Sequence, residues 1–517
     1  MSVLAEPRRG AEPRERRTAG GLPTLLAVAL ASVMLPLTVT GPAVALPRLA
    51  TSLGAGVGAG QWVQNAYGVT FAACLLAAGG LGDRFGRKRV LLIGIEIFLA
   101  MSLVCGLASN IVLIDVARAV QGVGAAGVLT SGAAILAATF EGPARARAFG
   151  VLGASFGFGL ALGPLVAGAL VSATGWRSVF LMNVVLGLFV LLLVPRVRES
   201  RDPEAQRVDW GGLVTFSGSL FLVAMFFVEG PGQGWASAAA LGSLAGAAVF
   251  MALFVLVELR VQRPMFDLSL FRRPTFIVVV CQPFTITFGF VVLLVYLPQY
   301  FQGVGGHSST TAGALLLPLT VPVLALPLLA GRLAARLPLR VMLAASSALI
   351  AAGSLWLVVL QPGDSWLTLA GPLLVFGIGV GSAFGVMDNA AVSVVPVERS
   401  GMASGIFNTM RITGESVAIA GAGALLSSLA GSDLHHRAGN LTSGQVKSLA
   451  GDAVQGRLGG SLDSLPAPAR TAAREAVGHA LTTAMHTTFV ALAVLALLGA
   501  VTTYAVVRDR ELQHSGS

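Results

Sequence analysis

Five ionisable side chains stand inside stretches that are otherwise apolar: Asp115 with Arg118, Asp388, and Arg411 with Glu415. Charge in hydrocarbon is costly, so such residues pair, line a wet cavity, or carry protons. Asp115 and Arg118 are spaced i, i+3, and Arg411 and Glu415 i, i+4, so each pair shares a helix face. A buried carboxyl beside an arginine that can move is able to take up and release a proton. Proton carriage is therefore one chemistry these residues suggest, with Glu415 the leading candidate and Asp388, beside Asn389, the second. The competing reading is two permanent salt bridges, Asp115–Arg118 and Arg411–Glu415. Glu96, also within an apolar run, reads as outward-facing or locally paired.

Other chemistries find no support. There is no HExxH, no G-x-S-x-G at a plausible turn, no phosphate-binding Gly-Lys-Ser/Thr loop and no clustered His/Cys set, so no catalytic residue, metal site or cofactor is expected. Cys74, Cys105 and Cys281 each lie in an apolar run and read as small core residues. The formal net charge is +10, but no continuous basic face accompanies it, so nucleic acid is not an expected partner.

The elements that must position these side chains are membrane spans. Hydrophobic residues make up 55% of the 517 and charged residues only 11%, where soluble proteins carry about a quarter. About fourteen runs reach the length a span needs. They cover 24–46, 61–81, 89–109, 111–138, 147–171, 177–195, 211–229, 236–257, 275–300, 311–334, 340–360, 366–393, 402–429 and 484–507. Basic residues concentrate in alternate connections, which implies an even span count with both termini cytoplasmic. On that topology Arg118 lies roughly 10 Å from the outer end of its span and Glu415 roughly 20 Å into its own. The expected domains are a cytoplasmic tail 1–23, a six-helix bundle 24–195, and a linker 196–274 with two extra spans. A second six-helix bundle follows at 275–507, with an outer polar loop 430–483, and a cytoplasmic tail at 508–517. A short amphipathic helix is expected near 466–483.

Gly79-Gly80-Leu81-Gly82-Asp83-Arg84-Phe85-Gly86-Arg87-Lys88 follows the second span, and a weaker copy, Gly331 to Arg340, follows the tenth. Repeated halves with the substrate between them are a common transporter plan.

Gly79–Lys88 is similar to the G-x-L-x-D-R-x-G-R-K loop motif of the major facilitator superfamily. Arg118 with Gln121-Gly122-Val123-Gly124-Ala125-Ala126 resembles its fourth-helix motif. Gly150, Gly159, Gly163-Pro164 and Gly168 resemble the fifth-helix motif of its antiporters, with Ala167 in place of one glycine. Trp176-Arg177, Asn183 and Leu46-Pro47 add to the match. The chain thus resembles the fourteen-helix drug:proton antiporters, across nearly its whole length outside the N-terminal tail and the loop 430–483.

That resemblance implies an all-α polytopic fold of two six-helix bundles plus two inserted helices. It implies secondary export of amphipathic drug-like or antibiotic compounds from a bacterial cytoplasmic membrane, driven by the proton gradient. The protein would work as a monomer, with lipid, protons and a small molecule as its only partners. Gly79, Asp83, Arg84, Gly86, Arg87 and Lys88 would form a gating turn, and Arg118 would take part in proton exchange. Gly150, Gly159, Gly163, Pro164 and Gly168 would form a closely packed, bendable helix, since small residues let helices approach and proline removes a rung. One departure stands out. Thr38 takes the place of the family's first-helix acid, and Ala43 that of its asparagine. The threonine hydroxyl does not ionise at physiological pH, so another acid must titrate. The alternatives are export or uncoupled diffusion of one endogenous metabolite, or, from another class, a membrane sensor. Thr38, Gln64, Asn65, Tyr67, Phe288 and Tyr296 are the candidate lining of an amphipathic pocket.

Overall fold

Hydrocarbon offers backbone N–H and C=O groups no water, so a spanning segment must close its hydrogen bonds within itself. The computed structural model obeys this throughout: among the described residues all regular structure is helical. It describes residues 21–54, 57–201, 209–261, 268–307, 309–334, 336–395, 400–437, 442–456, 458, 462 and 466–512. The tail 1–20, Arg207, Arg263, Arg399 and Arg457 of the basic-residue pattern lie outside them.

Six helices come first: α1 (Gly21–Ser52), α2 (Val57–Phe85), α3 (Arg87–Leu107), α4 (Ile111–Thr139), α5 (Gly142–Thr174) and α6 (Arg177–Leu193). The inserted pair is α7 (Trp210–Gln233) and α8 (Ala238–Glu258). Then come α9 (Pro274–Gly303), α10 (Ser309–Leu315), α11 (Leu317–Leu333), α12 (Leu339–Trp356), α13 (Trp366–Phe384), α14 (Met387–Ser393), α15 (Ser400–Arg437), α16 (Ser443–Val454) and α17 (Ala467–Val506). Among the described residues, twelve helical segments are long and apolar enough to cross a membrane, with Trp210–Phe226 and Leu317–Leu333 as shorter apolar helices. This is compatible with fourteen crossings.

Three places differ from the sequence expectation. The run 311–334 divides into α10 and α11, because Pro318 opens α11 and supplies no N–H to continue the preceding helix. The run 366–393 is interrupted at Gly385 and Val386, immediately before Asp388. The expected loop 430–483 is largely helix: α15 continues to Arg437, Thr442 opens α16 with a capping box to Gln445, and α17 begins at Ala467. The separate amphipathic helix near 466–483 is instead the first half of α17. Its Val477, Ala480 and Leu481 are buried, so this polar-looking stretch has an apolar face to pack.

Buried side chains gather in four clusters. Three draw on α1–α6 and the turn after α6, joined by Ile412 and Val392; the largest draws mainly on residues from Phe276 onward, joined by Leu76, Phe216, Phe254 and Leu270. The inserted pair docks on α2, where the Ser217 hydroxyl donates to the Ala73 carbonyl at 2.6 Å. The pair is held together by Phe216 against Phe254, with ring centroids 5.0 Å apart.

Candidate functional site

Arg118 is fully buried on α4, with three separate kinds of partner. Its Nε donates to the Val63 carbonyl at 2.8 Å, and one terminal nitrogen donates to Gln121 Oε1 at 2.8 Å. Its guanidinium lies over the Tyr67 ring, 4.3 Å from the centroid. Gln121 in turn donates to the Ser102 hydroxyl at 2.6 Å, carrying the network to α3. The Asp115–Arg118 salt bridge of the competing reading is not formed among the described residues. One turn of helix aligns their backbones, but Arg118 reaches toward α2, and one Asp115 oxygen is buried without a hydrogen-bond partner. The second guanidinium nitrogen of Arg118 is likewise without a partner.

Arg411 on α15 also departs from the sequence pairing. Its guanidinium meets Asp388 of α14 at 3.5 Å, both side chains being almost wholly buried. It lies over Phe156 of α5, 4.6 Å from the ring centroid, and near Phe407, 5.9 Å away. No salt bridge joins Arg411 to Glu415. The break at Gly385 and Val386 starts a new helix that brings Asp388 to the arginine, a placement no helical spacing foretells. Glu415 is half-buried, and no hydrogen bond or ion pair reaches it among the described residues. Glu96 is exposed.

The Gly79–Lys88 motif is barely a loop. Gly79, Asp83 and Arg84 belong to α2, Arg87 and Lys88 open α3, and the turn between the helices is the single residue Gly86. Gly86 has φ 108°, a conformation costly for any residue with a Cβ. Asp83 at a helix C-terminus and Arg87 at a helix N-terminus each oppose the helix dipole. They offset this by pairing with each other, Arg87 Nε and Nη2 donating to one Asp83 oxygen at 2.9 and 2.8 Å. Glu199, which sequence reasoning passed over, completes the turn. Its carboxylate accepts from the Lys88 N–H at 2.9 Å and packs where a Gly86 side chain would sit. Lys88 Nζ donates to the Pro195 carbonyl at 3.0 Å.

The glycines of α5 divide by direction. Gly150 rests on the Pro327 carbonyl and Gly331 of α11. Gly159 and Gly163 rest on α1, at Pro36 and Thr40, while Gly168 faces open space. Pro164 lies inside α5 without interrupting it. Gly153 and Gly157, outside the motif, make the tighter approach to the second half of the chain. A Cβ on Gly157 would meet the Val323 carbonyl, and one on Gly153 the Phe384 carbonyl. The signal for them was present as small residues at i, i+3 and i+7 from Gly150. At the same end, α15 approaches α2 where Gly405 meets Leu76. These approaches bring backbone against backbone between the first six helices and the second half of the chain.

The pocket candidates are spread over α1, α2 and α9. Thr38 is fully buried and its hydroxyl has no hydrogen-bond partner. With its amide turned so that the nitrogen meets the Val39 carbonyl (3.2 Å) and the oxygen the Ala43 N–H (2.9 Å), the orientation that satisfies both groups, Gln64 stitches α1 beside Pro42. Proline at that place weakens the helix ladder, and a side-chain amide supplies bonds there. Tyr296 donates to the Ile419 carbonyl at 2.6 Å, joining α9 to α15. Asn65 and Phe288 are half-buried.

Residues 26–421 match the Major Facilitator Superfamily. The chain belongs to that superfamily. Among curated relatives, it is 35% identical to the multidrug resistance protein Stp of Mycobacterium tuberculosis over 406 residues, covering 78% of this chain and 75% of Stp. It is 32% identical to the tetracenomycin C resistance and export protein of Streptomyces glaucescens over 418 residues, covering 79% and 76%. Among solved structures, the human organic anion transporter MFSD10 has the same fold, with a TM-score of 0.58 at 15% identity over 95% of this chain and all of the other.

As a multi-pass member of a transporter superfamily, the protein is not an enzyme. Within a major facilitator fold the two buried arginines have distinct settings. Arg118 is held inside the first six helices, whereas Arg411 is held between α14 and α5, so its surroundings involve both halves of the chain.

Proposed function

We propose that this protein exports amphipathic drug-like or antibiotic compounds across a bacterial cytoplasmic membrane, exchanging them for protons by alternating access. The observation that carries the reading is the unpaired Glu415 carboxyl, lodged in a membrane helix beside an arginine committed elsewhere. A carboxyl so placed can take up a proton without breaking a salt bridge, which a coupling group must do in every cycle. Asp388, tied to Arg411, is the second coupling candidate. The resistance and export functions named for the relatives support the substrate class. In this reading both termini and the Gly86 turn are cytoplasmic, and the described state is closed on that side. Residues 24–195 and 275–507 move as the two bundles, and a single chain suffices.

Proton release from everted vesicles on addition of cationic and neutral amphipathic compounds tests the coupling. Release with the native protein and its loss in Glu415→Gln is the expected result. Undiminished release in Glu415→Gln removes Glu415 from the mechanism.

One observation favours a second reading. The buried Thr38 hydroxyl cannot supply the titratable group that the resembling family has in its first helix. Movement of a labelled compound down its own gradient, with no proton flux, would mark an uncoupled facilitator for a single metabolite.

A further inference from the structure

Arg411 uses only part of its hydrogen-bonding capacity. Its Nη1 meets Asp388 Oδ2 at 3.5 Å, while its Nε and Nη2 are buried with no hydrogen-bond partner. Those two atoms share one edge of the guanidinium, and their N–H bonds run parallel. Arg87 shows the same edge in use, since its Nε and Nη2 both donate to Asp83. Such an edge takes two oxygens at once, and a buried donor without an acceptor is costly. Arg411 holds that costly arrangement in the described structure.

The surroundings of the edge are aromatic and come from both halves of the chain. The guanidinium lies over Phe156 of α5, 4.6 Å from the ring centroid, and 5.9 Å from that of Phe407 on α15. Phe156 is half-buried, and its neighbour Gly157 meets the Val323 carbonyl of α11. Parting α5 from the second half therefore lifts Phe156 off the guanidinium and uncovers the free edge.

Charge narrows what can bind there. Asp388 from α14 and Glu415, one turn along α15, are the carboxyls that bear on Arg411. A third carboxylate would meet two like charges. A neutral pair of oxygens satisfies the same two N–H groups and adds no charge. A hydroxyl beside a carbonyl on an aromatic ring is such a pair, and an aromatic body suits the two phenylalanines.

We propose that the free Nε/Nη2 edge of Arg411, beside Phe156 and Phe407, is a recognition point for the exported compound, and that it selects neutral planar aromatic molecules carrying a carbonyl and a hydroxyl oxygen side by side. This rests on the export reading, and it holds whichever carboxyl carries the proton. The edge is reached when α5 and the second half part, and it is covered when they close.

Three compounds with one ring system test the selection. 1-Hydroxyanthraquinone carries the oxygen pair, anthraquinone lacks the hydroxyl, and anthraquinone-1-carboxylate adds a charge. The full-length protein in detergent is titrated with each, and affinity is read from quenching of tryptophan fluorescence. The native protein should bind 1-hydroxyanthraquinone about tenfold tighter than anthraquinone, the worth of one net hydrogen bond, and the carboxylate more weakly than 1-hydroxyanthraquinone. Arg411→Lys keeps the charge beside Asp388 but has no paired edge. The preference should fall to about unity there, with anthraquinone binding unchanged, whereas a loss of packing alone would weaken both compounds alike. Phe156→Leu should weaken both and keep the preference. The comparison on the native protein stands even if Arg411→Lys does not fold. Equal affinity of the native protein for 1-hydroxyanthraquinone and anthraquinone, tighter binding of the carboxylate, or a preference kept in Arg411→Lys overturns the proposal. The expected preference with no export of 1-hydroxyanthraquinone into everted vesicles would leave the site standing and remove the export reading, so the two ideas fail separately.

Discussion

Arg411 and Asp388 lie 3.5 Å apart on different helices, one before and one after the segment that leads into α15. The pair is nearly free of solvent, and the Arg411 Nε and second terminal nitrogen have no hydrogen-bond partner. Its stability therefore hangs on a single charge contact and on the aromatic faces of Phe156 and Phe407. This is the kind of buried pair whose disruption is costly because the survivor is left uncompensated.

Asp388→Asn should destabilise the protein by about 3 kcal/mol, from stranding a buried guanidinium. Asp388→Asn with Arg411→Gln should recover most of that loss. Thermal unfolding in detergent, followed by size-exclusion chromatography, measures both. Equal stability of the single and double variants would show that the pair is not energetically coupled.

Gly157 has the Val323 carbonyl where a side chain would begin. Gly157→Ala should prevent full closure of the end that carries the Gly86 turn. Ser404, buried next to the Gly405–Leu76 contact, reports on it. A Ser404→Cys thiol should react slowly with a membrane-permeable maleimide in the native background and at least about tenfold faster with Gly157→Ala, because opening exposes it. Unchanged labelling would mean α5 is not part of the seal.

At Gly86, φ 108° and the Glu199 carboxylate together exclude a side chain. Gly86→Ala should cost about 1–2 kcal/mol of local strain and lower the transport rate by roughly tenfold. Glu199→Gln keeps the acceptor for the Lys88 N–H but loses the charge that favours a helix N-terminus, and should have a smaller effect in the same direction. Initial export rates compared at matched expression decide the order of the two.

Arg118→Lys retains the charge but not the geometry. Arg118 bonds Val63 and Gln121 from different nitrogens while lying flat over Tyr67. An ammonium on a flexible stem cannot do all three. A loss of transport greater than about tenfold, with the protein still monodisperse, is expected. Full activity in Arg118→Lys would reduce the role of Arg118 to its charge.

The amino-acid sequence by itself determined that this chain lives in lipid. It also determined where most spans begin and end, and which charged residues lie inside them. Those features follow from composition over windows of about twenty residues, the scale set by bilayer thickness. The Gly79–Lys88 turn and the Arg118-to-Gly124 helix were legible for a similar reason, since each is a local arrangement written in consecutive residues. The partners of the buried charges were another matter. Helical spacing pointed Arg118 to Asp115 and Arg411 to Glu415, yet Arg118 turned to Val63, Gln121 and Tyr67, and Arg411 to Asp388 and Phe156. A shared helix face brings two backbones near each other, but long side chains go to whatever neighbouring helices present, and only tertiary packing decides that. Glu199 at the Gly86 turn, Gln64 beside Pro42 and the glycines of α5 against α11 and α13 belong to the same class. Each is a contact between segments far apart in the chain, settled by how closely the helices could approach in three dimensions.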